Sequence, residues 1–326
     1  MANDNKKFHR AKNVVDDEFY TQMKDISHEL DYYKEQLRGK RIICPCDWDE
    51  SFEETIIYDS ETFVERGEIT LFDDTSEDTI KNINIHKTKE NIDAAEDEQK
   101  KCGFVSFLVQ VAELWGIKSI SASGYNPATG KGVKFEDIDY SKYDVVITNP
   151  PFSQFVKFLD VMFENNLQFL ILGPLTAVVN KDCLIHIRNN EMWIGYHSVR
   201  WFKGLNGEDK ETRTYWYTNL DVEHRHKKFI SEFSYYKNPE LYPHYDDFDA
   251  IDVRESKMIP FDYEGLMGVP LSFVEFFNPD QFEILNDSRY ITGECKDVNY
   301  VNGKGLFRRL IIKNKKPVKN QEDQYE

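Results

Sequence analysis

No run of about 18 consecutive apolar residues occurs in the 326-residue sequence, which excludes a membrane-spanning helix. The first stretch, Met1 to Asp17, is polar and charged and lacks the apolar core of a secretory signal, so a cytoplasmic protein is expected. Cysteine is scarce as well: Cys44, Cys46, Cys102, Cys183 and Cys295 are odd in number and show no paired spacing, which argues against a disulfide framework. Cys44 and Cys46 form a Cys-x-Cys, but no second Cys or His pair stands at ligand spacing, so no metal is expected. The sequence is also short of positive charge, with 41 Lys and Arg against 58 Asp and Glu. That shortage speaks against a nucleic-acid partner until its distribution is considered, because phosphate binding is driven by basic side chains. Residues 47 to 100 alone hold 18 acidic and 5 basic residues, −13 of the net −17. The rest of the chain is electrostatically ordinary.

What is present is a regular alternation. Phe19, Met23, Ile26, Leu30, Tyr33 and Leu37 recur at helical spacing, and Gly39 follows as a left-handed cap. A short strand is expected at Arg41 to Asp47. The acidic segment, about 48–101, has strand-like pieces at Thr55 to Tyr58 and Glu68 to Phe72, and reads as an insertion outside the core. A helix follows from Phe104 to Trp115, closed by Gly116. Strands at Ser119–Ser123, Val145–Thr148 and Phe169–Leu172, with an amphipathic helix at Ser153–Asn165, predict an α/β fold on a mostly parallel sheet with helices on both faces. Further strands are expected at Met192–Tyr196 and Thr214–Thr218. Residues 1–228 form the expected core, with a loop at about 198–213. Residues 229–326, rich in Pro, Tyr and Asp, form a loop-rich C-terminal region packed on it.

The chemical signal is Asp144-Val145-Val146-Ile147-Thr148-Asn149-Pro150-Pro151-Phe152-Ser153. Two prolines cannot continue a central strand, since each lacks an N–H, so the chain must leave the sheet at its carboxyl edge, where ligands of open α/β sheets bind. An exocyclic amine is a poor nucleophile because its lone pair is delocalised into the ring. If the Asn149 carboxamide oxygen and the Pro150 carbonyl accept its two hydrogens, the lone pair is freed to attack a sulfonium methyl in line. Phe152 offers a flat face for an extruded base. The four-residue loop leaves the amine itself open, since methylases of guanine N2 and of glutamine amides use similar loops.

The order of segments resembles the adenine-specific DNA methylases of the EcoRI modification-methylase family. The resemblance rests on Asp17 to Gln22, Cys44 to Asp47, Thr148 to Ser153, Asp249 to Val253, Met267 to Pro270, and Phe276, Asn278, Pro279, Gln281, Phe282 and Glu283. It implies a Rossmann-like class I sheet, S-adenosyl-L-methionine as methyl donor, double-stranded DNA as partner, N6 of adenine as acceptor, and a setting in restriction and modification. Carried over by position, Tyr20 and Thr21 would touch the donor, and Cys44, Pro45, Cys46 and Asp47 would form the turn under its methionine part. Asp137 or Asp139 would lie near its adenine, and Asn149, Pro150, Pro151 and Phe152 would be catalytic. Basic residues Arg200, Lys203, Lys210 and Arg213, with Arg225 and Lys227 beyond, are candidates for DNA contact, as is the C-terminal region. The sequence departs from this pattern in lacking a Gly-rich turn after the first strand, in its short 198–213 segment and in the acidic segment, which could bind a protein partner. A monomer is expected. An RNA methylase and a noncatalytic binding protein of the same fold are the competing readings.

Overall fold

A computed structural model of the protein describes residues 21–47, 54–61, 103–127, 129–203, 208–293 and 295–325. Tyr20, the Glu68–Phe72 strand and most of the acidic segment lie outside the described residues. The chain forms two compact units, 1–174 with 196–216, and 175–195 with 217–326, an interleaving that no single boundary expresses. No helix among the described residues is long and apolar enough to cross a membrane.

The strands up to residue 218 are β1 (Arg41–Cys44), β2 (Thr55–Asp59), β3 (Ser119–Ala122), the short pair β4 (Tyr125–Asn126) and β5 (Lys131–Gly132), β6 (Val145–Thr148), β7 (Gln168–Pro174), β8 (Trp193–Lys203) and β9 (Asp209–Thr218). Seven of them build one sheet in the order β2-β3-β1-β6-β7-β9-β8. β3, β1, β6 and β7 are successive parallel neighbours, while β2 runs antiparallel on the edge beside β3. Part of the acidic segment thus completes the sheet. The central strands are continuous apolar runs because they are covered completely: Ile42, Ile43, Val145, Val146, Ile147 and Phe169 to Leu172 have no solvent exposure.

The helices follow their apolar spacing. In α3 (Gly103–Trp115) the residues Phe104, Val105, Phe107, Leu108, Ala112 and Trp115 are buried, and Gly116 at φ 67° ends the helix. α4 (Phe155–Glu164) buries Phe155, Phe158, Leu159 and Met162. The first helix departs from its expected continuity. It is α1 (Met23–Leu30), a tight 3-10 turn at Asp31–Tyr33, then α2 (Lys34–Leu37). Across that turn Tyr33 donates to Glu29 Oε1 at 2.9 Å and Tyr32 stacks on Tyr196 at 4.0 Å. Glu29, with no solvent exposure, also accepts from Tyr196 N, His197 N and His197 Nδ1 at 2.8, 2.8 and 2.9 Å. This buried carboxylate fastens α1 to β8, and its hydrogen bond raises the His197 pKa.

The second unit has few regular residues but a defined frame. α5 (Lys181–Arg188) is capped by Asn180, whose side chain accepts from Asp182 N. β10 (Ile251–Asp252), β11 (Leu266–Val269), β12 (Phe282–Asp287) and β15 (Leu310–Asn314) form a sheet in the order β10-β11-β15-β12, and β13 (Asn299–Val301) with β14 (Lys304–Leu306) is a hairpin. Gly268 is required there, since a Cβ would stand 2.2 Å from the Tyr245 hydroxyl. Asn278 donates to the carbonyls of His226 and Lys227, and Gln281 bonds Phe229 through both its N–H and its carbonyl. These positions, which carry the family resemblance, hold backbone in place.

Candidate active site

β1 and β6 are parallel neighbours in register from Ile42 with Val145. They mark the place where the strand order reverses, with β3 added on one side and β7 on the other. At their amino ends Arg41 clamps Asp144 through Nη2 to Oδ1 at 2.8 Å and Nε to Oδ2 at 3.1 Å, and the Arg41 amide adds a third bond. The guanidinium bond holds the Asp144 carboxyl below its usual range. At their carboxyl ends the chemistry is opposite. Thr148 Oγ1 donates to Asp47 Oδ2 at 2.7 Å, and both side chains are buried. No cation pairs with Asp47 among the described residues, and burial pushes its pKa up to about 7 against the pull of the Thr148 hydroxyl.

The chain leaves β6 through Asn149, Pro150 and Pro151 into a 3-10 turn at Phe152–Gln154, where Gln154 N donates to Pro151 O at 2.9 Å. α4 starts at once, and its first ring, Phe155, lies over Gly173 of β7; a Cβ there would stand 2.2 Å from the ring. Asn149 Nδ2 donates to Thr21 Oγ1 at 3.3 Å. Phe152 meets the buried Phe202 edge-on at 6.1 Å, and Gln22 Nε2 donates to the Trp201 carbonyl at 3.4 Å. The loop is therefore gripped from two sides, by the residues ahead of α1 and by β8.

Of the expected donor-binding residues, Cys44, Pro45, Cys46 and Asp47 come together at this edge, with Cys44, Pro45 and Asp47 buried. Thr21 faces Asn149. Asp137 is exposed, and Asp139 accepts from Ser141 N and Oγ at 3.3 and 2.6 Å, a local cap that lowers its pKa. The hydroxyl of Tyr140, within electrostatic reach of Cys46, is buried instead, and burial raises its pKa. Sequence reading missed Tyr140 and Ser123. Ser123 follows β3, and its amide donates to Cys44 O at 3.2 Å. Neither the Ser123 nor the Tyr140 hydroxyl has a hydrogen-bond partner among the described residues, although both are shielded from solvent. Buried polar groups are rarely left so without a ligand or water to meet them. Ser123 directly follows β3 at the carboxyl edge, and that position was the available signal.

The expected loop at 198–213 is strand over 198–203 and 209–213, with residues 204–207 outside the described set. Its bases are matched by acids: Arg200 Nε to Glu211 at 2.6 Å and Lys203 to Asp209 at 2.6 Å across the hairpin, and Lys210 to Glu208 at 3.6 Å on the same arm. Arg213 is exposed and enters no such pair among the described residues. In the second unit Arg225 lies flat over Trp193 at 3.4 Å, and Lys227 pairs with Glu223 at 3.5 Å. Arg308 binds Asp287 and the Val179 carbonyl, and Arg309 binds Asp252, so both have structural roles.

Comparison with known proteins gives these residues a context. The adenine-specific methyltransferase EcoRI family matches residues 7–326 of the chain. The chain is 33% identical to Type II methyltransferase M.EcoRI of Escherichia coli, across 96% of the chain and 97% of that protein. It is 30% identical to Type II methyltransferase M.MgeORF184P of Mycoplasma genitalium, across 94% and 98% of the two chains. It is 26% identical to Type II methyltransferase M.MpnI of Mycoplasma pneumoniae, across 95% and 99%. No solved structure matches the chain.

Proposed function

The chain belongs to the EcoRI family of adenine-specific methyltransferases, and from that premise we propose that it methylates the exocyclic N6 of an adenine extruded from duplex DNA. The observation that carries this reading is the position of Asn149 to Phe152 where the strand order reverses, beside Asp47, which is buried and has no cation partner among the described residues. The order β2-β3-β1-β6-β7-β9-β8, with β9 between β7 and β8, supports a Rossmann-like class I sheet.

The residues at this edge suit S-adenosyl-L-methionine as donor. Asp47 offers a buried negative charge to a cationic ligand, and the Ser123 and Tyr140 hydroxyls offer polar partners to its hydroxyls and ring nitrogens. Bound there, the donor supplies a sulfonium methyl, electrophilic because a neutral thioether departs. Asn149 Oδ1 and the Pro150 carbonyl accept the two amino hydrogens, which draws the adenine lone pair out of the ring. Phe152, braced by Phe202, stacks on the base. The amine proton becomes acidic only as the N–C bond forms, so it passes to solvent without a strong general base. Arg213 and the acid-paired Arg200, Lys203 and Lys210 supply phosphate contacts, for which the DNA must displace Glu211, Asp209 and Glu208. In the second unit Lys304, Lys313 and Lys316 are exposed for the same purpose.

The test is expression in a host lacking adenine methylation, followed by genome sequencing with base-modification detection. N6-methyladenine at one recurring motif, lost with Asn149→Ala, is expected. Unmodified DNA despite folded, donor-binding protein would redirect the assignment to RNA or to a noncatalytic role.

A further inference from the structure

A carboxamide is nearly symmetric in shape, yet only its oxygen can accept a hydrogen from an amine; its nitrogen can only donate. The proposed chemistry fails if Asn149 presents the wrong end, so some residue must hold its nitrogen. Thr21 Oγ1 stands 3.3 Å from Asn149 Nδ2 as acceptor, from a position 128 residues away in sequence. The residues around Thr21 fix that position. Gly103 opens α3 with no side chain, and a Cβ there would stand 3.1 Å from the Thr21 carbonyl and 2.8 Å from Ile26. The adjacent Gln22 donates to the Trp201 carbonyl, and buried Glu29 fastens the following helix to β8. Thr21 itself is buried, at 9% exposure.

We propose that Thr21 is a positioning residue that orients the Asn149 carboxamide, holding its nitrogen so that its oxygen faces the adenine amine. This rests on the reading of Asn149 as amine acceptor, and the donor titration below separates it from the donor contact that the family resemblance implies for Thr21. Loss of the hydroxyl leaves donor and DNA binding intact and slows the methyl-transfer step alone.

The experiment compares the unaltered protein, Thr21→Val and Thr21→Ser. Single-turnover transfer of labelled methyl to bacterial genomic DNA free of adenine methylation is measured beside donor affinity by calorimetry. Thr21→Val, close in shape but without the hydroxyl, is expected to slow transfer about 10- to 100-fold. Its donor and DNA affinities are expected to stay within about twofold, because the lost hydroxyl acts through Asn149. Thr21→Ser, which keeps the acceptor, is expected to recover most of the rate. Full activity of Thr21→Val, or a fall in donor affinity that accounts for its slower rate, would overturn the proposal. Absence of transfer by the unaltered protein would overturn the reading of Asn149 first, and the proposal with it. Melting curves of both variants separate these outcomes from misfolding: Thr21→Ser folded and as slow as Thr21→Val also counts against it.

Discussion

The two ends of the β1–β6 strand pair carry an aspartate each, and they are built in opposite ways. Asp144, at the amino ends, has a bidentate guanidinium partner and a backbone N–H, and its pKa falls. Asp47, at the carboxyl ends, is buried, accepts from the Thr148 hydroxyl and pairs with no cation among the described residues, and its pKa rises to about 7. The first end closes the strand register with its own side chains. The second leaves a buried carboxyl with no cation among the described residues, and it lies beside the loop 149–152 proposed for the chemistry. A protein can afford one such deficit where a ligand repairs it.

The largest effect expected from breaking this contrast is at the loop. Asn149→Ala should lower transfer about 1,000-fold or more with donor affinity unchanged, measured under single turnover. Next is the helix that delivers Thr21. Glu29→Ala strands two backbone N–H groups and His197, and should cost about 3 kcal/mol of stability by urea unfolding.

Asp47 and Asp144 then separate cleanly by pH. The folded pKa of Asp47, about 7, lies above the unfolded value of about 3.9, so the folded state binds the extra proton between them. Its contribution is fully favourable below about pH 4 and is lost as pH rises through 7, at most about 4 kcal/mol in the ligand-free protein. Asp47→Asn should remove that slope, raise the melting temperature at pH 8 and weaken donor binding. Unfolding curves from pH 5 to 8 check the sign, and a steeper loss in the variant would count against the assignment. Asp144 runs the other way: its lowered pKa makes its contribution present above about pH 4 and lost as acid protonates it. The smallest effect is expected from Asp144→Asn, about 1 to 2 kcal/mol of stability with donor affinity unchanged.

The amino-acid order made the local parts of this arrangement legible. β6 spans Val145–Thr148 as its apolar run predicts, and Gly39 and Gly116 take the left-handed φ of 70° and 67° expected at helix ends. The Asn-Pro-Pro-Phe loop leaves the sheet where its prolines require. Long-range pairings were not legible. Thr148 meets Asp47 across 101 residues and Asn149 meets Thr21 across 128, and neither partnership has a local period to announce it. The outer ends of β8 and β9 read as a polar loop because cross-strand ion pairs put charge where a buried face would show alternation. The first helix read as unbroken because Tyr33 fits the helical spacing, while Glu29, bonded to Tyr33, and Tyr196, stacked on Tyr32, meet the chain at the tight turn.

The most direct test of the contrast is the proton balance of donor binding, from calorimetric titration with S-adenosyl-L-methionine in buffers of different ionisation enthalpy. If Asp47 is the charge left for the donor, binding at pH 6 releases close to one proton, about none at pH 8.5, and the release disappears in Asp47→Asn but persists in Asp144→Asn. Binding at pH 6 with no proton release, or the same release in Asp47→Asn, would contradict it.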